Sequence, residues 1–214
     1  VAERAAGESD LLLLDGSLVP QPGDRPSVDS DLFDRYEDLI ERYREMYSMT
    51  GSDKLAGVVE DARSSRICDY LREEGFGSPV LEDGRDSVLL HHLLDPGERT
   101  RSVPYAGSGT PVLEDLGEED SLHVFYLRTV KKDRPVRVEF LSREAKEAEA
   151  DRIARRIQAL CGEGSSYGIP PVLVEADQRA SLSRQEVEML TGRIRNRLSH
   201  LPGGEGLRRD RRPF

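Results

Sequence analysis

Leu11-Leu12-Leu13-Leu14-Asp15-Gly16-Ser17-Leu18 carries four apolar residues straight into a carboxylate, a glycine and a hydroxyl. An unbroken apolar run is the pattern of a strand buried on both faces, and open α/β sheets place their ligands just beyond the carboxyl ends of such strands. A strand over residues 11–14 is therefore expected to deliver Asp15 to one edge of a sheet. Asp-Gly is also a common turn dipeptide, so the same letters describe an ordinary bend. The order of the downstream segments bears on the choice.

Leu32, Phe33, Tyr36, Leu39, Ile40, Tyr43, Met46 and Tyr47 recur at helical spacing. Asp29 or Ser30 is the expected cap and Gly51 the stop, with the aromatic stripe facing a core. Leu55–Val59 reads as a second buried strand, again running into acids, Glu60 and Asp61. Arg63-Ser64-Ser65-Arg66 opens a helix that turns Ile67, Tyr70 and Leu71 inward. Two arginines and two hydroxyls at a helix N-terminus suit a phosphate, because the free N–H groups point the same way; capping plus solvated charge is the alternative. Residues 88–94 form a short helix stopped by Pro96-Gly97. Its adjacent His91 and His92 cannot chelate one ion, since neighbours on a helix diverge.

Thr100–Asp120 reads as a long connection. Leu122–Arg128 and Val136–Leu141 read as an antiparallel hairpin whose second strand alternates apolar and charged residues and so should have one wet face. Its turn holds Lys131, Lys132 and Arg134, a cluster suited to the backbone of a nucleic acid or simply to solvent. Glu144–Cys161 is a charged helix with a thin apolar side of Ala148, Ile153, Ile157 and Leu160. Ile169–Val174 reads as a third short strand, ending at Glu175 and Asp177, and Val187, Leu190, Ile194 and Leu198 mark a last helix started by Ser183. Residues 201–214 read as a flexible Gly- and Arg-rich tail.

Three strands that each end in carboxylates are what a site for a hard divalent cation requires, and such ions support phosphodiester hydrolysis by activating water and stabilising the leaving oxygen. No Ser-His-Asp order, phosphate-binding glycine loop or dinucleotide fingerprint competes. The 41 acidic against 31 basic residues in 214, a net charge of −10, argue against binding nucleic acid through overall charge, so a polyanion must meet a local basic patch or a metal. Few lysines beside many acids and arginines also suit a high-salt proteome. Two distant cysteines, Cys68 and Cys161, suggest neither a disulfide framework nor a zinc site, which fits a reducing cytoplasm. No apolar run reaches membrane-spanning length.

Taken in order, Leu-Leu-Leu-Asp15-Gly-Ser-Leu, Gly57-Val-Val-Glu60-Asp-Ala-Arg63-Ser, Asp86-Ser-Val-Leu-Leu with Leu94-x-x-Gly97-Glu-Arg99, Phe125-Tyr-Leu-Arg128 with Val136-Arg-Val-Glu139-Phe, and Pro170-Pro-Val-Leu173-Val-Glu-Ala176-Asp177 resemble the NurA nuclease family. The resemblance runs from about residue 10 to 198. It implies an α/β fold, a ribonuclease H-like mixed sheet flanked by helices, over residues 1–200. It also implies a homodimeric, manganese-dependent (or magnesium-dependent) DNA nuclease that works with a HerA-like hexameric ATPase in end resection for double-strand-break repair. Asp15 takes the place of a metal ligand and catalytic carboxylate. Asp177 stands where the family carries a histidine, so Asp15 and Asp177 are the expected catalytic and metal-binding pair; Ile169 stands for a tyrosine and Glu60 for a lysine. Arg63, Arg66, Lys131, Lys132 and Arg134 are the expected DNA contacts.

The family's first catalytic Asp, and a Glu on the helix before the Asp15 strand, have no counterpart here. Val1–Ala6 also reads as the last turns of a helix without a cap, so the chain is expected to lack the domain's first strands. Two functions remain open: a metal-dependent DNA nuclease domain, and an inactive relative that serves as a binding partner of a HerA-like ATPase.

Overall fold

The computed structural model describes residues 9–20, 25–50, 54–60, 64–82, 84–105, 111–117, 121–144, 146–162 and 167–198. The expected tail, Gly51, Asp61, Arg63 and the N-terminal helix end lie outside them. The chain divides into two compact units, Val1–Val174 and Glu175–Phe214. No helix among the described residues is long and apolar enough to cross a membrane.

In the first unit the elements run in the order β1 (Leu12–Asp15), α1 (Phe33–Thr50), β2 (Leu55–Val59), α2 (Arg66–Glu73), α3 (Pro79–Glu82), α4 (Asp86–Leu93), β3 (Val103–Pro104), α5 (Pro111–Leu116), β4 (Leu122–Leu127), β5 (Val136–Leu141) and α6 (Lys146–Cys161). The strands form one mixed sheet in the order β1-β2-β5-β4-β3. β1 and β2 are parallel, with Asp15 beside Val58, whereas β2 runs antiparallel to β5, with Gly57 opposite Glu139. The expected hairpin is β4–β5, paired from Leu122↔Leu141 to Leu127↔Val136.

Alternation along the strands divides the core between the two faces. Leu12, Leu14, Leu55, Leu122, Val124 and Leu141 pack with Tyr36, Ile40 and Tyr47 of α1 and with Val112, Leu113 and Leu116 of α5. On the other face Ala56, Val58, Phe125, Val138 and Phe140 meet Ala150, Ile153, Ala154 and Ile157 of α6, with Leu11 and Leu13 alongside. The four leucines that precede Asp15 thus serve both faces in turn. Each is half-buried rather than buried, because β2 is the one strand paired with β1 among the described residues. Ile153 and Ile157 are fully buried, each contributing about 1.5–3 kcal/mol through removal of apolar surface from water.

Several expectations need correction. The run Ile169–Val174 is not a strand: α7 spans Pro171–Ala180. Pro171 takes the first helical position, where its missing N–H and fixed φ suit a helix start, and the Pro170 carbonyl accepts from Leu173 N at 2.9 Å. Val172 and Val174 imitate a strand in sequence, but the proline pair decides. The 100–120 connection contains β3 and α5. In α6, Ala148 and Leu160 are exposed, and Ala150, Ala154 and Cys161 take their places in the core. Tyr70 of α2 is likewise exposed, while Cys68 is buried. The charged side of β5 is not wet: Glu139 is completely buried and the Arg137 side chain is 13% exposed.

In the second unit, α8 (Arg184–Leu198) begins at the expected start, directly after Ser183. Ser183 Oγ accepts from Glu186 N, and Glu186 Oε2 accepts from Ser183 N at 2.8 Å, a reciprocal cap.

Candidate nuclease site at the sheet edge

Asp15 ends β1 and is exposed, with no hydrogen-bond or ion-pair partner among the described residues. The backbone that carries it is fixed on every side. Gly16 has φ +116°, a region that favours glycine, and its N–H donates to Val58 O at 2.9 Å. Ser17 Oγ and Leu18 N both donate to Glu139 Oε2, each at 2.8 Å. Tyr47 Oη on α1 donates to Leu18 O at 2.5 Å, and the Leu18 side chain is fully buried. The chain turns so closely over β2 that a Cβ on Gly57 would stand 2.6 Å from Gly16 O. Asp15 is therefore a free carboxylate on a rigid mount.

Pairing fixes what shares that edge. Parallel β1 and β2 both end there, and antiparallel β5 begins there, with Val59 opposite Arg137. The β4–β5 turn therefore brings Lys131, Lys132 and Arg134, all exposed, to the same edge as Asp15. Arg128 ties this turn to α4: its guanidinium donates to His91 O (2.7 Å), Leu94 O (2.6 Å) and Lys131 O (2.7 Å). Asp133 accepts from Gly168 N and Arg134 N, both at 2.8 Å. A cleft of about 450 Å³ opens beside it, lined by Glu60, His91, His92, Lys132 and Arg134 among others. The histidine rings meet edge to face, and His91 Nδ1 lies 3.1 Å from Asp133 O.

Arg66, at the start of α2, lies over the Tyr105 ring at 4.5 Å, and Arg137 approaches the same ring at 5.8 Å. No carboxylate pairs with Arg66 among the described residues. The helix N–H groups that would receive a phosphate are already engaged: Ile67 N and Cys68 N donate to Asp86 Oδ1 at 3.0 and 3.1 Å. Asp86, fully buried at the start of α4, also accepts from Tyr126 Oη at 2.7 Å. Capping therefore explains this helix start, and the Arg66 side chain is what is left for an anion. Burial and the nearby Asp86 charge push the Cys68 thiol up to about 11, and both cysteines are free.

Asp177 is exposed on α7 and belongs to the second unit, where Ser181 N and Oγ donate to its carbonyl. Glu175 pairs with Arg179. Two strands, not three, thus run into acids in the described residues. Among those residues no group of three or more His, Cys, Asp or Glu side chains is placed to hold a metal ion. A hard divalent cation takes six or so oxygens, so the described donors do not by themselves fit one. Sequence reasoning missed the work of Glu139, Asp86 and Arg128. For Glu139 the available signal was a charge inside an otherwise apolar run, which marks a buried partner as readily as a wet face.

An α/β domain whose mixed sheet presents one rigidly mounted acid and a basic turn at a shared edge is the class these features define. Residues 2–182 match the NurA domain, and the chain belongs to that family. The crystal structure of the NurA nuclease from Sulfolobus solfataricus is similar in fold, with a TM-score of 0.61 at 16% identity over 94% of this chain. The chain spans 65% of that nuclease's length. No curated protein matches it.

Proposed function

We propose that this chain is the nuclease domain of a protein that hydrolyses DNA phosphodiesters. One observation carries the reading: Asp15, unpaired and exposed on a fixed turn, shares a sheet edge with Lys131, Lys132 and Arg134. A phosphate at Asp15 would have its neighbours along the strand within reach of these cations, which contact backbone and not bases. Arg66, without a carboxylate partner among the described residues, is a further cation for the strand; Arg63, the other expected contact of that segment, lies outside the described residues. A manganese- or magnesium-dependent activity is the reading's expectation, with Asp15 as the donor on the sheet edge. A homodimer that works with a HerA-like ATPase in cytoplasmic end resection and repair is the setting the family suggests, and the acidic composition fits a high-salt cell.

The test is cleavage of end-labelled DNA by the protein at its full natural length, with manganese and with chelator. Asp15→Asn keeps shape and removes charge, and is expected to lower the rate at least about a hundredfold, the scale for loss of one strong electrostatic contributor. Full activity in that variant removes Asp15 from the site. Absence of cleavage together with tight association with a HerA-like ATPase would replace the reading with that of an inactive binding partner.

A further inference from the structure

We infer that Glu139 is the positioning residue of the site, the group that sets the direction in which Asp15 leaves the sheet. Its functional consequence rests on the nuclease reading; its structural content does not. Glu139 is completely buried on β5, two strand spacings or about 10 Å across the sheet from β1. In the row Leu14–Gly57–Glu139 the middle position has no side chain, which leaves the space into which Gly16, Ser17 and Leu18 fold back across β2. The Glu139 carboxylate meets them there through Ser17 Oγ and Leu18 N, while Arg137 Nη2 lies 2.6 Å from its other oxygen.

A buried carboxylate is a poor way to stabilise a sheet. Desolvating it is costly, and an apolar side chain of similar volume commonly does as well or better. The geometry, though, is what an apolar side chain would not supply. Both donors lie two and three residues beyond Asp15, so one charge with two short hydrogen bonds fixes the backbone on which Asp15 rides and leaves its carboxylate unengaged. Arg137 compensates the buried charge and is itself held against Tyr105.

Glu139→Gln tests this in the full-length protein. The amide keeps the volume, but with its oxygen on Ser17 and Leu18 it turns an NH2 group toward the Arg137 guanidinium, donor against donor with the compensating charge gone, so the pin is pulled between its two partners. The expected result is a fall in kcat of at least about tenfold with KM for DNA unchanged, because an ångström of misplacement at a reacting group costs on that order or more. Amide exchange at Leu18 should quicken, while core amides of β4 and α6 stay protected. Ser17→Ala should shift both readouts in the same direction by less, and the double variant should be no worse than Glu139→Gln alone, since the two act through one contact. Should Glu139→Gln fail to fold, Ser17→Ala carries the same two readouts.

Unchanged kcat with unchanged Leu18 exchange overturns the inference, and so does a loss confined to KM. A protein that cleaves no DNA under any condition sinks the nuclease reading instead, and Leu18 exchange still decides whether Glu139 holds the turn.

Discussion

Asp86 and Asp15 are both aspartates at an element boundary, and the molecule treats them in opposite ways. Asp86 is sealed from water and accepts from two backbone N–H groups of α2 and the Tyr126 hydroxyl. Asp15, exposed, accepts from nothing among the described residues. The first has all its chemistry consumed by the fold, whereas the second has its backbone held and its carboxylate kept free. Within this sheet, an acid with its hydrogen bonds satisfied is a fastening, and an acid without them on a fixed mount is available for chemistry.

The sharpest way to break the comparison is to exchange the effects. Asp86→Ala removes an acceptor from three buried donors and should cost about 3 kcal/mol, since each stranded group carries its own desolvation penalty. For a domain of this size that is a fall in Tm of roughly 6–12 °C, readable by calorimetry. Asp15→Asn should leave Tm within a degree or so, because surface changes away from such contacts are close to neutral. A large fall for Asp15→Asn, or none for Asp86→Ala, would reverse the assignment.

Gly57→Ala sits between the two. Its Cβ would meet Gly16 O at 2.6 Å, backbone against backbone, so the turn or the strand must move. The expected cost is about 1–3 kcal/mol, the usual range for overpacking, measured as a shift in denaturant midpoint. Because the clash is with the turn that carries Asp15, activity should fall more than stability alone accounts for. Equal stability and equal activity in Gly57→Ala would show that the mount is not rigid.

Which of these features can be read from sequence depends on how far apart the partners lie. The apolar run before Asp15, the helix of α1 and the β4–β5 hairpin are local patterns and form as elements, although Leu32 and Leu39 of the expected α1 stripe are exposed while Tyr36, Ile40 and Tyr47 are buried. α7 reads as a strand because the short apolar run Val172-Leu173-Val174, with two β-branched residues, outweighs the helix-starting proline at 171. Glu139 misleads for a different reason. Its donors are Ser17 and Leu18, more than a hundred residues earlier, so within its own strand it looks like the solvent side of an alternating pattern. Asp86 likewise caps a helix that precedes it by 18 residues or more, beyond the reach of any capping signature. Asp15 itself is legible as the end of a strand. That it is the acid left free becomes visible once the fastenings are in place.

Asp115 on α5 is intermediate between the two aspartates, partly exposed yet fully engaged. Its Oδ2 accepts from Arg25 Nε and from Tyr36 Oη, both at 2.7 Å, and Arg44 reaches its backbone carbonyl. The hydrogen bond from the Arg25 guanidinium, more than that from Tyr36, holds the Asp115 carboxyl below the usual carboxylate range. Burial first, and then the Asp115 carboxylate, push the Tyr36 phenol up to about 12. The two shifts act at opposite ends of the pH scale. A depressed carboxyl adds stability above its unfolded value near 4, and that contribution is lost as pH falls through the folded value. The raised phenol adds stability below its unfolded value near 10, lost as pH rises from there toward about 12. Asp115→Asn should therefore lower Tm modestly at neutral pH, by less than Asp86→Ala, and the gap to the parent should close as pH drops below 4. A gap that stays constant from neutral to strongly acid pH would mean that Asp115 contributes through packing and not through its charge.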